Sequence, residues 1–448
     1  MRTDLRGLPM TGGDAFAMAR YETALGQFHA YVGDPIATID EATASSPAFI
    51  AGHLLKANVV YTLAERQFVP LACAALDEAK RHAARANERE RMMMAATGEL
   101  VAGNWHSASR AFDRVLMEYP GDALAIQVGH LMDFFRGDAL NLRNRISRVL
   151  PHWDVSVPGY SYVLGMHAFG LEEMNQYPEA EATARKALAL QPKDGWAVHA
   201  AVHVMEMQGR IDEGADFLIS REPDWAPDNG FAFHNFWHLA LFHMDSARYD
   251  QALALYDVCV HPEPAQFVLS LIDATALLWR LRLEGVDVGN RFHDVADDWE
   301  KRLEGGAGFY AFNDAHAAMA FVATGREAAL SQLVLRMREA AADATVNGGM
   351  TRDVGLPLVE GLAAFGRGHY VEAIAAIEPM RDHAHRFGGS HAQRDLITLT
   401  LIEAAIRSGD RVRANHYIAE RLVHKPQSAW GPRLARRSGA LSAMPVAA

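Results

Sequence analysis

Cysteine is almost missing from this chain. Two residues, Cys73 and Cys259, in 448 positions cannot build a disulfide framework, and both sit among apolar neighbours as small buried residues do. Long apolar runs are missing as well. No stretch reaches the ~18 uncharged apolar residues of a membrane helix, and the first ten residues, Met1 to Met10, carry no apolar core of the kind a secretion signal needs. A reducing cytoplasm and no membrane partner are therefore expected. Positive charge is in deficit: 43 Lys and Arg against 55 Asp and Glu leave a net charge of −12, which argues against nucleic acid as the main partner. No Gly-rich phosphate loop, dinucleotide fingerprint or Cys–His zinc array occurs, so no nucleotide cofactor is expected. Runs of alternating apolar and polar residues are absent too, which predicts almost no sheet.

What is present is a globular composition, 50% hydrophobic and 22% charged. It is arranged as Ala-rich helical segments separated by short turns. The turns follow a recurring grammar in which a small or polar pair, often with an aromatic, precedes a helix that a proline stops. Gly103-Asn104-Trp105 leads to Pro120, Asn175-Gln176-Tyr177 to Pro192, Gly209-Arg210 to Pro223, and Arg248-Tyr249 to Pro262. Gly368-His369-Tyr370 then leads to Pro379, and Gly409-Asp410 to Pro426. A spacing of roughly 34 to 43 residues fits tetratricopeptide-type helical hairpins. No hairpin buries its apolar face alone, so such units stack. The expected fold is all-α: a tetratricopeptide-like α-solenoid of stacked antiparallel helical hairpins, closed around a polar pocket. It is expected as one continuous domain over residues 1–432, with a frayed tail over 433–448. The basic run Lys80, Arg81, Arg85, Arg89 and Arg91 is broken by Glu88 and Glu90, and reads as a solvated helix face.

Three segments depart from packing-helix composition. Trp196 to Glu206 contains His199, His203 and Glu206; His234-Asn235-Phe236-Trp237-His238 follows; and Gly389-Ser390-His391 leads to Arg394 and Asp395. Positions i and i+4 share a helix face, so His199 pairs with His203, His234 with His238, and His391 with Asp395. Asp314-Ala315-His316 adds a fourth polar pair. Histidines four apart can chelate one ion, which makes His199, His203, His234 and His238 candidate ligands for a divalent transition metal such as zinc, although the Glu of the common metalloprotease motif is missing. Glu206, one turn beyond His203, could serve such a metal as the nearby general-base carboxylate; without a metal, His203 or His238 could act as base, Asp395 could hold the ring of His391, and Arg394 could clamp an anion. Ser390 reads as a plain N-cap. Trp196, Trp225, Trp237 and Trp279 read as core fillers, Met92, Met93 and Met94 as helix core, and His130, His167 and His243 as single packing histidines.

These same runs, with Glu222-Pro223-Asp224-Trp225, the segment Leu131 to Asp138 and the helix Asp273 to Arg280, resemble the tetratricopeptide repeat protein 38 family over most of the chain, to about Pro426. The resemblance implies an all-helical repeat chain and no particular reaction; the family is often acidic where this chain has Asn313. Two functions follow as expectations. One is an enzyme acting on a small carboxylate- or carbonyl-bearing substrate by hydrolytic or acid–base chemistry, through His203, His238, His391, Arg394, Asp395 and Glu206, with Asn235, Trp237, Asp314 and His316 also lining the pocket. The alternative is a non-catalytic protein- or peptide-binding module whose histidines are structural. Self-association is left open by the sequence.

Overall fold

The computed structural model describes residues 2–263 and 265–439, and nearly every element in them is a helix. Among the described residues the only sheet is a pair of two-residue strands, Arg2–Thr3 antiparallel to Pro9–Met10. Capping follows the sequence closely. Asp14, Asp34, Asp122, Asp138 and Asp410 each accept a backbone N–H at a helix start, and Asn87 with Glu90 closes a capping box.

The turn grammar has a backbone cause. Gly103, Asn175, Gly209, Ala247, Gly368 and Gly409 all have φ between +58° and +80°. Each closes its helix in the left-handed conformation that glycine adopts without steric cost. Ala247 takes the same conformation with a Cβ, at a cost of about 1–2 kcal/mol. The residues after these positions start the next helix, and the helices on either side of Gly103, Asn175, Gly368 and Gly409 pack as hairpins.

Burial alternates within the hairpins. Ala123–Phe135 is buried at 12 of 13 positions, whereas its successor Ala139–Val149 is buried at 4 of 11. Val268–Leu283 is buried at 13 of 16, and Glu327–Ala341 at 4 of 15. One kind of helix is enclosed on every face and the other is amphipathic. The polar candidates Asp314, His316, His234 and His238, and with them Asp273 and Arg280, all lie on enclosed helices. A polar side chain there costs stability unless it finds a partner.

By packing, the chain falls into two compact units, Met1–Ala201 with Arg221–Ala232, and Val202–Ser220 with Phe233–Ala448. The frayed tail expected from 433 needs correction over residues 433–439. Arg433 donates to the carbonyls of Met244 (2.8 Å) and Asp245 (2.5 Å), and Arg437 pairs with Glu284 (3.1 Å) and Glu403 (2.5 Å). These bonds dock the Trp430–Arg437 helix in the second unit. Residues 440–448 of that tail lie outside the described residues. No helix of the described residues is long and apolar enough to cross a membrane. Cys73 and Cys259 are half-buried rather than enclosed.

Candidate functional site

The Gly195–Gln208 helix begins at Asp194, whose Oδ1 accepts from the amides of Trp196 (3.1 Å) and Ala197 (3.0 Å). His199, near its start, packs in the first unit among the rings of Trp196, Phe169 and Phe231, with centroids 4.9, 5.0 and 5.2 Å away. His203, one turn later, belongs to the second unit. Three of the four candidate metal ligands, His203, His234 and His238, therefore share the second unit.

In that unit His203 and His238 meet edge to face with centroids 4.5 Å apart, and His234 meets His238 at 4.9 Å. The Ala232–Asp245 helix supplies both His234 and His238, and Trp237 between them stacks on His234 (5.3 Å, 15° between planes). Each of these two histidines is held by a carboxylate. His238 Nδ1 donates to Glu206 Oε2 (2.9 Å), and His234 Nδ1 donates to Asp273 Oδ2 (2.6 Å). His238 lies well below the ordinary histidine range, first because it is buried and then because His203 stands beside it. It is neutral at pH 7.

Glu206 has a second partner that sequence reasoning missed. Lys425 Nζ donates to Glu206 Oε1 (2.5 Å) and lies 3.6 Å from Asp395 Oδ2. Asp395 in turn accepts a two-point bond from Arg421, Nε to Oδ1 (2.9 Å) and Nη2 to Oδ2 (2.8 Å). Burial alone would raise the Asp395 carboxyl, but Arg421 and Lys425 outweigh it and hold the group at about 2. Burial likewise opposes ionisation of Glu206, and Lys425 with His238 carries it well below the usual carboxylate value. A chain of polar contacts thus runs from neutral His238 through the paired charges Glu206, Lys425, Asp395 and Arg421.

Arg280, fully enclosed, is satisfied differently. Its Nη2 donates to the carbonyls of Ala392 (2.6 Å) and Gln393 (3.3 Å), and its guanidinium lies over the Trp237 ring at 5.2 Å. With carbonyls rather than carboxylates as direct partners, burial lowers it to about 10. Asp245 accepts from Ser428 Oγ (2.7 Å) and from the Trp430 amide (3.0 Å). Glu206, Asp245, Arg280, Asp395, Arg421, Lys425 and Trp430 line a cavity of about 10 Å³, room for about one water molecule.

The other candidates are held locally. His316 Nδ1 donates to the Phe312 carbonyl in its own helix (2.8 Å), and burial lowers it to about 4. Asp314 Oδ1 accepts from the Gly308 amide (3.0 Å). Ser390 is the N-cap of the His391–Ser408 helix, closing a capping box with Gln393. Arg394 bonds to the Gly389 carbonyl and donates to His391 Nδ1 (3.3 Å). The i, i+4 spacing pointed Asp395 at His391, whereas its carboxylate is aligned on Arg421. Asn235 and Trp237 are enclosed on the same helix as the histidine pair.

Arg421, Lys425, Arg280, Asp273 and Asp245 are the network members that the motif reading did not single out as site residues. Arg421 and Lys425 are four apart near Pro426, a pattern that ordinarily reads as a solvated last turn. Only Asp273 and Arg280, inside an otherwise apolar run, carried a sequence signal of their own.

No known family model matches the chain. Among solved structures it is similar to the human IFIT1 dimer with m7Gppp-AAAA (12% identity, 96% of each chain covered, TM-score 0.44). It is also similar to the human IFIT1 dimer with PPP-AAAA (13%, 95% of this chain and 100% of that one, 0.43). A third is the APC/C hetero-tetramer Cut9–Hcn1 (9%, 94% and 96%, 0.38). No residue role passes from these proteins to this one.

Proposed function

We propose that this chain is a non-catalytic, tetratricopeptide-like helical-repeat scaffold that binds protein or peptide partners. What supports this over acid–base catalysis is one observation: the groups such chemistry would use are engaged with one another. Glu206 is bound by His238 and Lys425, and Asp395 by Arg421. The space beside them holds about one water, far below the ~300 Å³ at which small-molecule pockets begin. In this reading the histidines and the ion chain fix how enclosed helices register on each other. A partner would meet the amphipathic helices, and the net charge of −12 favours basic protein surfaces over nucleic acid.

The test pairs folding with turnover. Asp395→Asn and Lys425→Met are expected to lower thermal stability and to leave unchanged the composition of a small-molecule extract incubated with the protein. A compound consumed by the wild type and spared by a folded Asp395→Asn variant would overturn the scaffold reading and restore the enzymatic one.

A further inference from the structure

His203, His234 and His238 form a cluster inside the second unit. Their ligand atoms lie within 4.8 Å of one another, and His203 and His238 are fully buried. Tetrahedral zinc bonded to nitrogen at about 2.0–2.1 Å needs ligand atoms roughly 3.3 Å apart. Small side-chain rotations close that gap, because two of the rings sit on one helix, one turn apart, and the third faces them from the Gly195–Gln208 helix.

The tautomers point the same way. His238 gives its Nδ1 proton to Glu206 and His234 gives its Nδ1 proton to Asp273. A neutral imidazole that donates from Nδ1 carries its lone pair on Nε2. Two buried carboxylates therefore leave each of these rings its lone pair on the nitrogen away from the carboxylate, in rings whose ligand atoms lie together with those of a third imidazole. Carboxylate, histidine and metal in series is the arrangement that orients imidazole ligands and raises their basicity. A packing role asks only for hydrogen-bond complementarity and gives no reason for two histidine–carboxylate couples to converge.

We infer that His203, His234 and His238 bind one divalent transition-metal ion of the zinc class, with Glu206 and Asp273 as positioning residues that hold His238 and His234. Three nitrogens leave a fourth tetrahedral position. The ion joins the helices Gly195–Gln208 and Ala232–Asp245, so its binding stabilises the fold. This assignment does not depend on the scaffold reading.

The test uses the full chain without a histidine tag, stripped by a chelator and dialysed. Zinc is expected to bind at one ion per chain in competition with a chromogenic chelator, and to raise the melting temperature. Cobalt(II) is expected to give the visible absorption of a tetrahedral site. His203→Ala and His238→Ala should each abolish the cobalt band, and His243→Ala, on the same helix, should keep it. Glu206→Gln should weaken zinc by about 10- to 100-fold. No stoichiometric zinc or cobalt uptake by folded wild-type protein would overturn the assignment, as would uptake that survives both histidine variants. If a histidine variant does not fold by circular dichroism, the wild-type cobalt spectrum alone still decides.

Discussion

The two units each bury charge in a helical core, and they do so by different chemistry. In the first, Asp133 stands at the centre of an arginine cage. Arg145 bonds it from Nε (2.8 Å) and Nη2 (3.0 Å), Arg136 from Nη2 (2.7 Å), and Ser109 from its hydroxyl (2.9 Å). Arg145 fits because Gly129 has no Cβ; one there would lie 2.7 Å from the guanidinium. In the second unit the centre is Glu206, and its partners are Lys425 and a neutral histidine. An arginine cage is permanently charged and closed. The second network is built on histidine, whose ring, unlike a guanidinium, can be neutral inside the core.

The largest expected effect lies in the arginine cage. Arg145→Met leaves Asp133 enclosed with half of its charge-assisted bonds gone, and removing one partner of a buried ion pair costs about 3–5 kcal/mol. Urea denaturation of the full chain measures it. The double variant Arg145→Met, Asp133→Leu should recover part of that loss, because no carboxylate is then stranded. If the double variant is as unstable as the sum of the two single variants, the cage is not a coupled unit.

Lys425→Met is expected to cost less, about 1–3 kcal/mol. Glu206 keeps the His238 bond and can share its charge with that ring, and Asp395 keeps both bonds from Arg421. A loss equal to that of Arg145→Met would erase the contrast between the two cores.

Acid sharpens the comparison next. His130 in the first unit and His316 in the second are fully enclosed, and burial lowers them to about 3 and about 4. The unfolded chain takes up these protons near pH 6.5, and the folded chain resists until far lower. Stability is therefore lost as pH falls from about 6.5 towards 4. His316→Asn should flatten that limb. Asp194 works in the opposite sense: burial raises its carboxyl to about 7. The folded state then holds a proton that the unfolded state has released, and stability falls as pH rises from about 4 to about 7. Asp194→Asn preserves an N-cap side chain and should remove that loss; equal pH profiles for wild type and variant would show that Asp194 titrates normally.

How much of this was legible beforehand depends on the range of the interaction. Helix starts, the left-handed turns and the enclosed apolar helices are local, so Asp122, Asn175 and Gly409 announce themselves within one turn of chain. The pairing of His238 with Glu206 spans 32 residues, and that of Lys425 with Glu206 spans 219. The helical spacing could put Glu206 on the stripe of His203, and it could not say which cation would reach it from the chain's far end. Asp395 shows the same limit, since i, i+4 geometry favours His391 while Arg421, 26 residues on, offers two donors in a plane matched to a carboxylate.

The basic run from Lys80 to Arg91, which spans the end of the Val69–Arg81 helix and the start of the Glu88–Val101 helix, brings the contrast down to single residues. Arg81 and Arg89 look alike in the sequence, eight positions apart among acidic neighbours. Arg81 is exposed and meets Glu78 at 2.5 Å, one helical turn away. Arg89 is 2% exposed and meets Asp122 at 2.7 Å, with Nη1 also donating to the Pro9 carbonyl (3.2 Å). The reading of the whole run as a solvated face is therefore corrected at Arg89. An exposed pair within one helix contributes about 0.3–0.5 kcal/mol at most, so Arg81→Ala should move the urea midpoint barely beyond error and the difference should vanish in high salt. Arg89→Ala should fall in the range expected for Arg145→Met, because Asp122 is left enclosed. Should the two variants shift stability equally, burial is not what separates them.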